Sequence, residues 1–125
     1  MSTIAMILSF VVAAVALLSG AMKFTGSQMA AETPAHLEIP PGQYKLAGVL
    51  ELLAAVGLVL AALDVVPNVL GAIAAFGLAL MMVFAIGLHR RAGDPFAPAG
   101  GSTEAWAPAA FVYLLAMVTG ILIIL

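Results

Sequence analysis

Four apolar segments, each about as long as a bilayer-spanning helix, constrain this chain more than any other feature. They cover residues 4–23, 44–63, 68–89 and 104–125. A transmembrane helix needs about 20 mostly apolar residues, so four spans and their links use up the whole chain of 125 residues. We therefore predict an all-α integral membrane four-helix bundle, with residues 1–125 forming a single membrane domain.

The composition also indicates that most of the chain is surrounded by lipid. Hydrophobic residues make up 65% of the chain and charged residues only 8%, whereas about 25% of a soluble domain is charged. A net charge of −2 with four Lys and Arg residues leaves no basic surface for a phosphate backbone, which excludes nucleic acid as a partner. The absence of cysteine excludes disulfides and thiolate metal sites within this chain.

Two links interrupt the apolar segments on the same side of the predicted bundle. The stretch 24–43 is too polar to span, and we expect a short interfacial helix followed by an extended entry at Pro40-Pro41-Gly42. The second link, 89–103, is rich in helix breakers. Ser102 or Thr103 is the expected cap of the fourth helix, with Glu104 in its first turn.

Basic residues predict the orientation in the membrane. All four Lys and Arg residues, at positions 23, 45, 90 and 91, lie on the side of these two links. By the positive-inside rule, segments 24–43 and 89–103 are cytoplasmic and both termini lie outside, in a multi-pass protein of the cell membrane.

Glu51 places a carboxylate within an otherwise apolar span. Such a charge costs at least ~2.5–3.5 kcal/mol at a helix centre, so it is expected to face a partner or a cavity rather than lipid. Side chains lean toward the N-terminus of their helix, which places Lys23, at the end of the first span, and His89, at the end of the third, at a depth similar to that of Glu51. Lys23 is the favoured partner and His89 the next.

Small residues predict that the first two spans approach each other closely. They share helical stripes with the two charges, Ser9, Ala13, Ala16, Gly20 and Lys23 on the first span and Gly48, Glu51, Ala55 and Ala62 on the second.

Two interpretations of the polar residues stay open at this point. In one, they form a structural ion pair that fixes helix register. In the other, Glu51 and His89 line a polar pocket, open to the loop face, that binds a small molecule or relays protons. No metal site is predicted, because such a site needs three or four converging ligands and the two histidines are far apart in sequence. His36 is interpreted as solvated.

Three short motifs carry a resemblance to a known family. They are Gly20-x-x-Lys23-Phe24; Gly48-x-x-Glu51-Leu52 with Ala54 and Gly57-Leu58; and His89-x-Arg91-x-Gly93-Asp94-Pro95. In order and spacing around four spans, the chain resembles the DoxX-like family of small four-helix membrane proteins. The resemblance implies that Lys23, Glu51, His89 and Asp94 form a polar cluster that is ligand-binding or structural.

The family resemblance implies rather little about function. The family takes its name from a thiosulfate:quinone oxidoreductase subunit, mycobacterial relatives are linked to membrane oxidoreductase complexes and oxidative stress, and an animal branch looks like assembly chaperones for ligand-gated channels. The absence of cysteine argues against a thiol-based version of the redox role.

Three functions follow, in order of preference. The first is an accessory or assembly subunit, with a membrane-protein partner or as a homo-oligomer. The second is a membrane oxidoreductase subunit that binds a quinone or a lipid, and the third is a small proton-coupled exporter. The chain contains no self-sufficient catalytic constellation, so no catalytic residue is assigned, and no cofactor is predicted beyond such a quinone or lipid.

Overall fold

The computed structural model describes all 125 residues and contains five helices and no strands. The helices are α1 (Thr3–Met22), α2 (Gln28–His36), α3 (Pro41–Ala62), α4 (Asn68–Arg91) and α5 (Ala107–Ile124). All except α2 are long and apolar enough to cross a membrane. The chain is thus the predicted multi-pass bundle of four membrane helices, with a short fifth helix in the first link.

The four long helices surround a common core. Helix α1 packs against α3 and α5, and α4 packs against the same two helices, whereas α1 and α4 scarcely touch. The order around the bundle is therefore α1, α3, α4, α5. Helix α2 contacts α3, which places it at the end of the bundle where the two long links lie.

Alanine dominates the buried core, and the largest fully buried side chains are only Leu58, Leu78 and Val12. Small side chains allow membrane helices to approach closely, so that dispersion contacts replace the hydrophobic driving force that lipid does not supply. The four small residues of the predicted α1 stripe are buried, and Lys23 at its end is partly buried. On α3 the prediction fails at Ala62, which is half-buried, while its neighbour Ala61 is fully buried.

Helices α1 and α3 cross with their backbones in contact at Gly20 and Gly48. A Cβ atom on Gly20 would lie 2.8 Å from the Gly48 carbonyl oxygen, and one on Gly48 would lie 3.1 Å from the Gly20 oxygen. No larger residue fits either position unless the helices separate. The crossing therefore holds the end of α1 against the first half of α3.

The first link differs from the prediction at its end. Helix α2 forms as expected, with the Ser27 hydroxyl accepting a hydrogen bond from the Ala30 amide at 3.2 Å. Pro41 and Gly42, predicted to be extended, instead open α3, and only Pro40 is extended. Proline suits this first helical position because its missing amide hydrogen would have no partner there.

The last helix also begins later than predicted. It starts at Ala107 rather than near Glu104, and the Glu104 amide donates to the Ser102 hydroxyl at 3.1 Å in a turn that precedes the helix. Glu104 is therefore not a first-turn residue of α5. Its carboxylate accepts a hydrogen bond from Thr33 of α2 instead, at 3.1 Å.

Candidate functional site

Glu51 pairs with the partner favoured from the sequence. The Lys23 Nζ atom lies 2.6 Å from Glu51 Oε1, and the side chains are 15% and 3% exposed, respectively. Lys23 also donates to the Ser19 hydroxyl at 3.1 Å. The charged contact thus joins the end of α1 to α3 directly beside the Gly20–Gly48 crossing, because Cβ on Gly48 would meet the Lys23 side chain at 3.1 Å.

His89 does not take part in this pair, contrary to its place as the second candidate partner. Its Nδ1 atom donates to Asp94 Oδ2 at 2.6 Å and lies 3.6 Å from Glu104 Oε2. The nearer carboxylate belongs to its own link, five residues further along the chain.

A glycine turn explains why Asp94 meets His89. Gly93 has a φ of +82°, and the Asp94 amide donates to the His89 carbonyl at 3.0 Å. This is the helix-ending motif in which a left-handed residue folds the chain back over the last turn. Asp94 consequently lies against the end of α4.

His36 is exposed, as interpreted from the sequence, but it also makes a contact that the sequence did not indicate. Its Nε2 atom donates to Asp94 Oδ1 at 2.7 Å, although its side chain is still 36% exposed. Arg91 reinforces the contact by donating from Nη2 to the carbonyl of Leu37, at 2.7 Å. Together these bonds attach the C-terminal end of α2 to the end of α4.

We call His36, His89, Asp94 and Glu104 the loop-face cluster. The sequence predicts a site role for His89 and Asp94 but not for His36 or Glu104. No local pattern could have predicted the last two, because the contact between His36 and Asp94 spans 58 positions and that between Thr33 and Glu104 spans 71.

Both histidines donate hydrogen bonds to the negatively charged carboxylate of Asp94. Burial alone would raise its pKa, but the hydrogen bonds from His89 and His36 outweigh that effect and hold the pKa of the Asp94 carboxyl below its ordinary value. An ionised carboxylate only accepts hydrogen bonds, so both imidazoles present N–H groups to it.

Tyr44 and Thr33 connect the buried pair with the loop-face cluster. The Lys23 ammonium lies 5.3 Å from the centre of the Tyr44 ring, within the range of cation–π attraction. Thr33, which donates to the Glu104 carboxylate at 3.1 Å, lies close to Tyr44. The four residues predicted as one cluster thus lie in two separate groups that these two side chains join.

The two main cavities lie away from Lys23 and Glu51. The larger, of about 740 Å³, opens at the opposite end of the bundle, where Met1, Asn68 and Leu125 are among its lining residues. The smaller, of about 270 Å³, is an open cleft beside Thr33 and Glu104. Neither has Lys23 or Glu51 in its lining.

Comparison with known proteins gives one match. No curated protein and no solved structure shows significant similarity to this chain. The family model of the DoxX-like family matches residues 7–120, a range that contains the buried pair, the linking side chains and the whole loop-face cluster. With nearly its full length matched, the chain belongs to the DoxX-like family.

Proposed function

We propose that this protein is an accessory or assembly subunit of a membrane complex. One observation carries the proposal: the polar groups inside the bundle are mutually satisfied. No buried side-chain nitrogen or oxygen lacks a hydrogen-bond partner, and the carboxylate of Glu51, 3% exposed, is directly neutralised by Lys23. A transport or catalytic carboxylate needs access to its substrate, whereas a closed pair suits a scaffold.

The outer surface is where such a scaffold acts. Large apolar side chains are exposed along all four long helices, including Leu53, Phe84 and Phe111, and the links hold no further domain. A partner is therefore proposed to be another membrane protein, or a second copy of this chain, bound through lipid-facing helix surfaces. Within this proposal the Lys23–Glu51 pair sets the register of α1 against α3.

Purification from native membranes tests the proposal. The tagged protein is extracted in its native lipids, and mass spectrometry identifies both co-purifying proteins and bound small molecules. The proposal expects a stoichiometric membrane-protein partner, or a defined homo-oligomer. A monomer that carries no protein but a stoichiometric quinone contradicts it.

The double variant Lys23→Met, Glu51→Gln sharpens this test. It removes both charges and leaves the approximate side-chain volumes, so a scaffold in which the pair only sets register should keep its partner. Loss of the partner from a well-folded double variant would show that the charges themselves take part in function.

A second candidate is a redox-linked subunit that binds a quinone, and the connection through Tyr44 favours it. Ionisable and hydroxyl side chains lie between surface-exposed His36 and the buried pair, namely the rest of the loop-face cluster, Thr33 and Tyr44. A series of this kind suits proton delivery to a bound quinone at the membrane interface. Tyr44→Phe tests it, because the ring stays while the hydroxyl is lost: quinone-linked activity of the isolated complex should fall, and unchanged activity would argue against a relay.

A further inference from the structure

The loop-face cluster unites four metal-ligating side chains from separate parts of the chain. One ligand atom from each of His36, Asp94 and Glu104 lies within 4.8 Å of the others, and His89 Nδ1 contacts Asp94 and approaches Glu104. We propose that this cluster binds a divalent transition-metal ion of the zinc class, through His36 Nε2, His89 Nδ1 and the carboxylates of Asp94 and Glu104. The proposal is independent of the proposed accessory or assembly role, because it concerns the link segments and not the lipid-facing surface.

The distances suit a four-coordinate ion. Nitrogen and oxygen ligands at about 2.0–2.2 Å from a tetrahedral Zn²⁺ lie about 3.4 Å from one another. The 3.6 Å between His89 Nδ1 and Glu104 Oε2 already has this spacing. The distances of 2.7 and 2.6 Å between the histidines and Asp94 need to increase by less than about 1 Å to reach this spacing.

The charges and donor types also suit such an ion. Two carboxylates neutralise a divalent cation, and two imidazoles favour zinc and its neighbours over Mg²⁺ or Ca²⁺, which prefer oxygen ligands. To bind the metal, each imidazole would use the ring nitrogen that now faces Asp94, with a proton on the other ring nitrogen only. The nearby cations are engaged elsewhere, since Arg91 binds the Leu37 carbonyl and Arg90 lies over the Trp106 ring.

The cluster is open to solvent on one side, and its ligands are held by separate elements of the fold. His36 is 36% exposed and opens the cluster to water, whereas the side chains of Asp94 and His89 are 6% and 16% exposed. Because the ligands come from the end of α2, the end of α4 and the segment before α5, a bound ion would cross-link all three. The two histidines are far apart in sequence, but both of them contact Asp94.

Metal binding to the purified full-length protein tests the proposal. The chain carries a tag without histidine, is stripped with a chelator in detergent, and is titrated with Zn²⁺ against a chromophoric competitor. Co²⁺ replaces Zn²⁺ in a parallel titration, because its visible spectrum distinguishes four-coordinate from octahedral sites. The variants are His36→Gln and His89→Gln, with Glu32→Gln as the matched control, since Glu32 is exposed on the same helix as His36 and bonds only Gln28.

We expect one Zn²⁺ per wild-type chain, a four-coordinate Co²⁺ spectrum, and a Tm that rises with Zn²⁺. Each histidine variant should bind Zn²⁺ at least about 100-fold more weakly, while Glu32→Gln binds like the wild type. Absence of stoichiometric Zn²⁺ on the wild type, or an octahedral Co²⁺ spectrum, overturns the proposal without reference to any variant. Equal affinity in folded histidine variants overturns it as well, because the metal would then occupy unrelated surface carboxylates.

Discussion

At the scale of single residues, the Lys23–Glu51 contact is the ion pair between two membrane-spanning helices. The Lys23 ammonium and the Glu51 carboxylate lie 2.6 Å apart and are largely shielded from water. Removing one partner leaves the other charge buried and uncompensated, at a cost of about 3–5 kcal/mol, whereas removing both is often nearly neutral.

We therefore predict that Lys23→Met and Glu51→Gln each lower the free energy of unfolding and that the double variant recovers part of the loss. Reversible unfolding in detergent, analysed as a double-mutant cycle, measures the coupling. Strictly additive losses would mean that the 2.6 Å contact contributes nothing specific.

A second prediction at this scale concerns the glycine crossing. Gly20→Ala should destabilise the protein by about 1–3 kcal/mol, because the new methyl group would overpack the contact with the Gly48 backbone. Gly77→Ala is the matched control, since no atom lies within 4 Å of a Cβ there and alanine favours a helix. Thermal unfolding of both variants should give a lower Tm for Gly20→Ala than for Gly77→Ala. Equal Tm values would contradict a close crossing.

At the scale of elements, the attachment of α2 rests on few bonds. Asp94 joins the end of α2 to the end of α4 through His36 and His89, and the Leu37 carbonyl accepts from Arg91. Few apolar side chains support these bonds, because within α2 only Pro34 is buried. Such an element opens at a lower free energy than the core helices.

Asp94→Asn should therefore loosen α2 without disturbing the bundle. The neutral amide keeps the size of the side chain but weakens both bonds to histidine, which lose their ionised acceptor. Hydrogen exchange is expected to accelerate in Gln28–His36 and to stay unchanged in the core of α1 and α3. Uniform acceleration throughout the chain would mean that Asp94 supports the whole bundle instead.

At the scale of the whole molecule, orientation in the membrane remains a prediction from charge. Lys23, Lys45, Arg90 and Arg91 all lie toward the end where α2 and the α4–α5 link are found. By the positive-inside rule, this end faces the cytoplasm and both termini lie outside. Reporters fused at residue 125 and inserted near residue 99 should give opposite signals, and a cytoplasmic signal at residue 125 would reverse the assignment.

The sequence by itself determined that the protein lies in a membrane, how many helices span it, and that Lys23 is the partner of Glu51. Length and hydropathy suffice for the spans, since each helix satisfies its own backbone hydrogen bonds in lipid. Helical geometry suffices for the pair, because Lys23 and Glu51 belong to adjacent helices whose small-residue stripes predict their contact.

Only the tertiary structure decided the loop-face cluster. His36 and Glu104 lie in polar links that carry no strong periodicity, so no pattern indicates which way their side chains face. Their positions depend on the turn at Gly93 and on bonds to Asp94 and Thr33 across 58 and 71 positions. Contacts between links depend on how the helices that hold them pack, and for that physical reason local sequence determined the bundle but not this cluster.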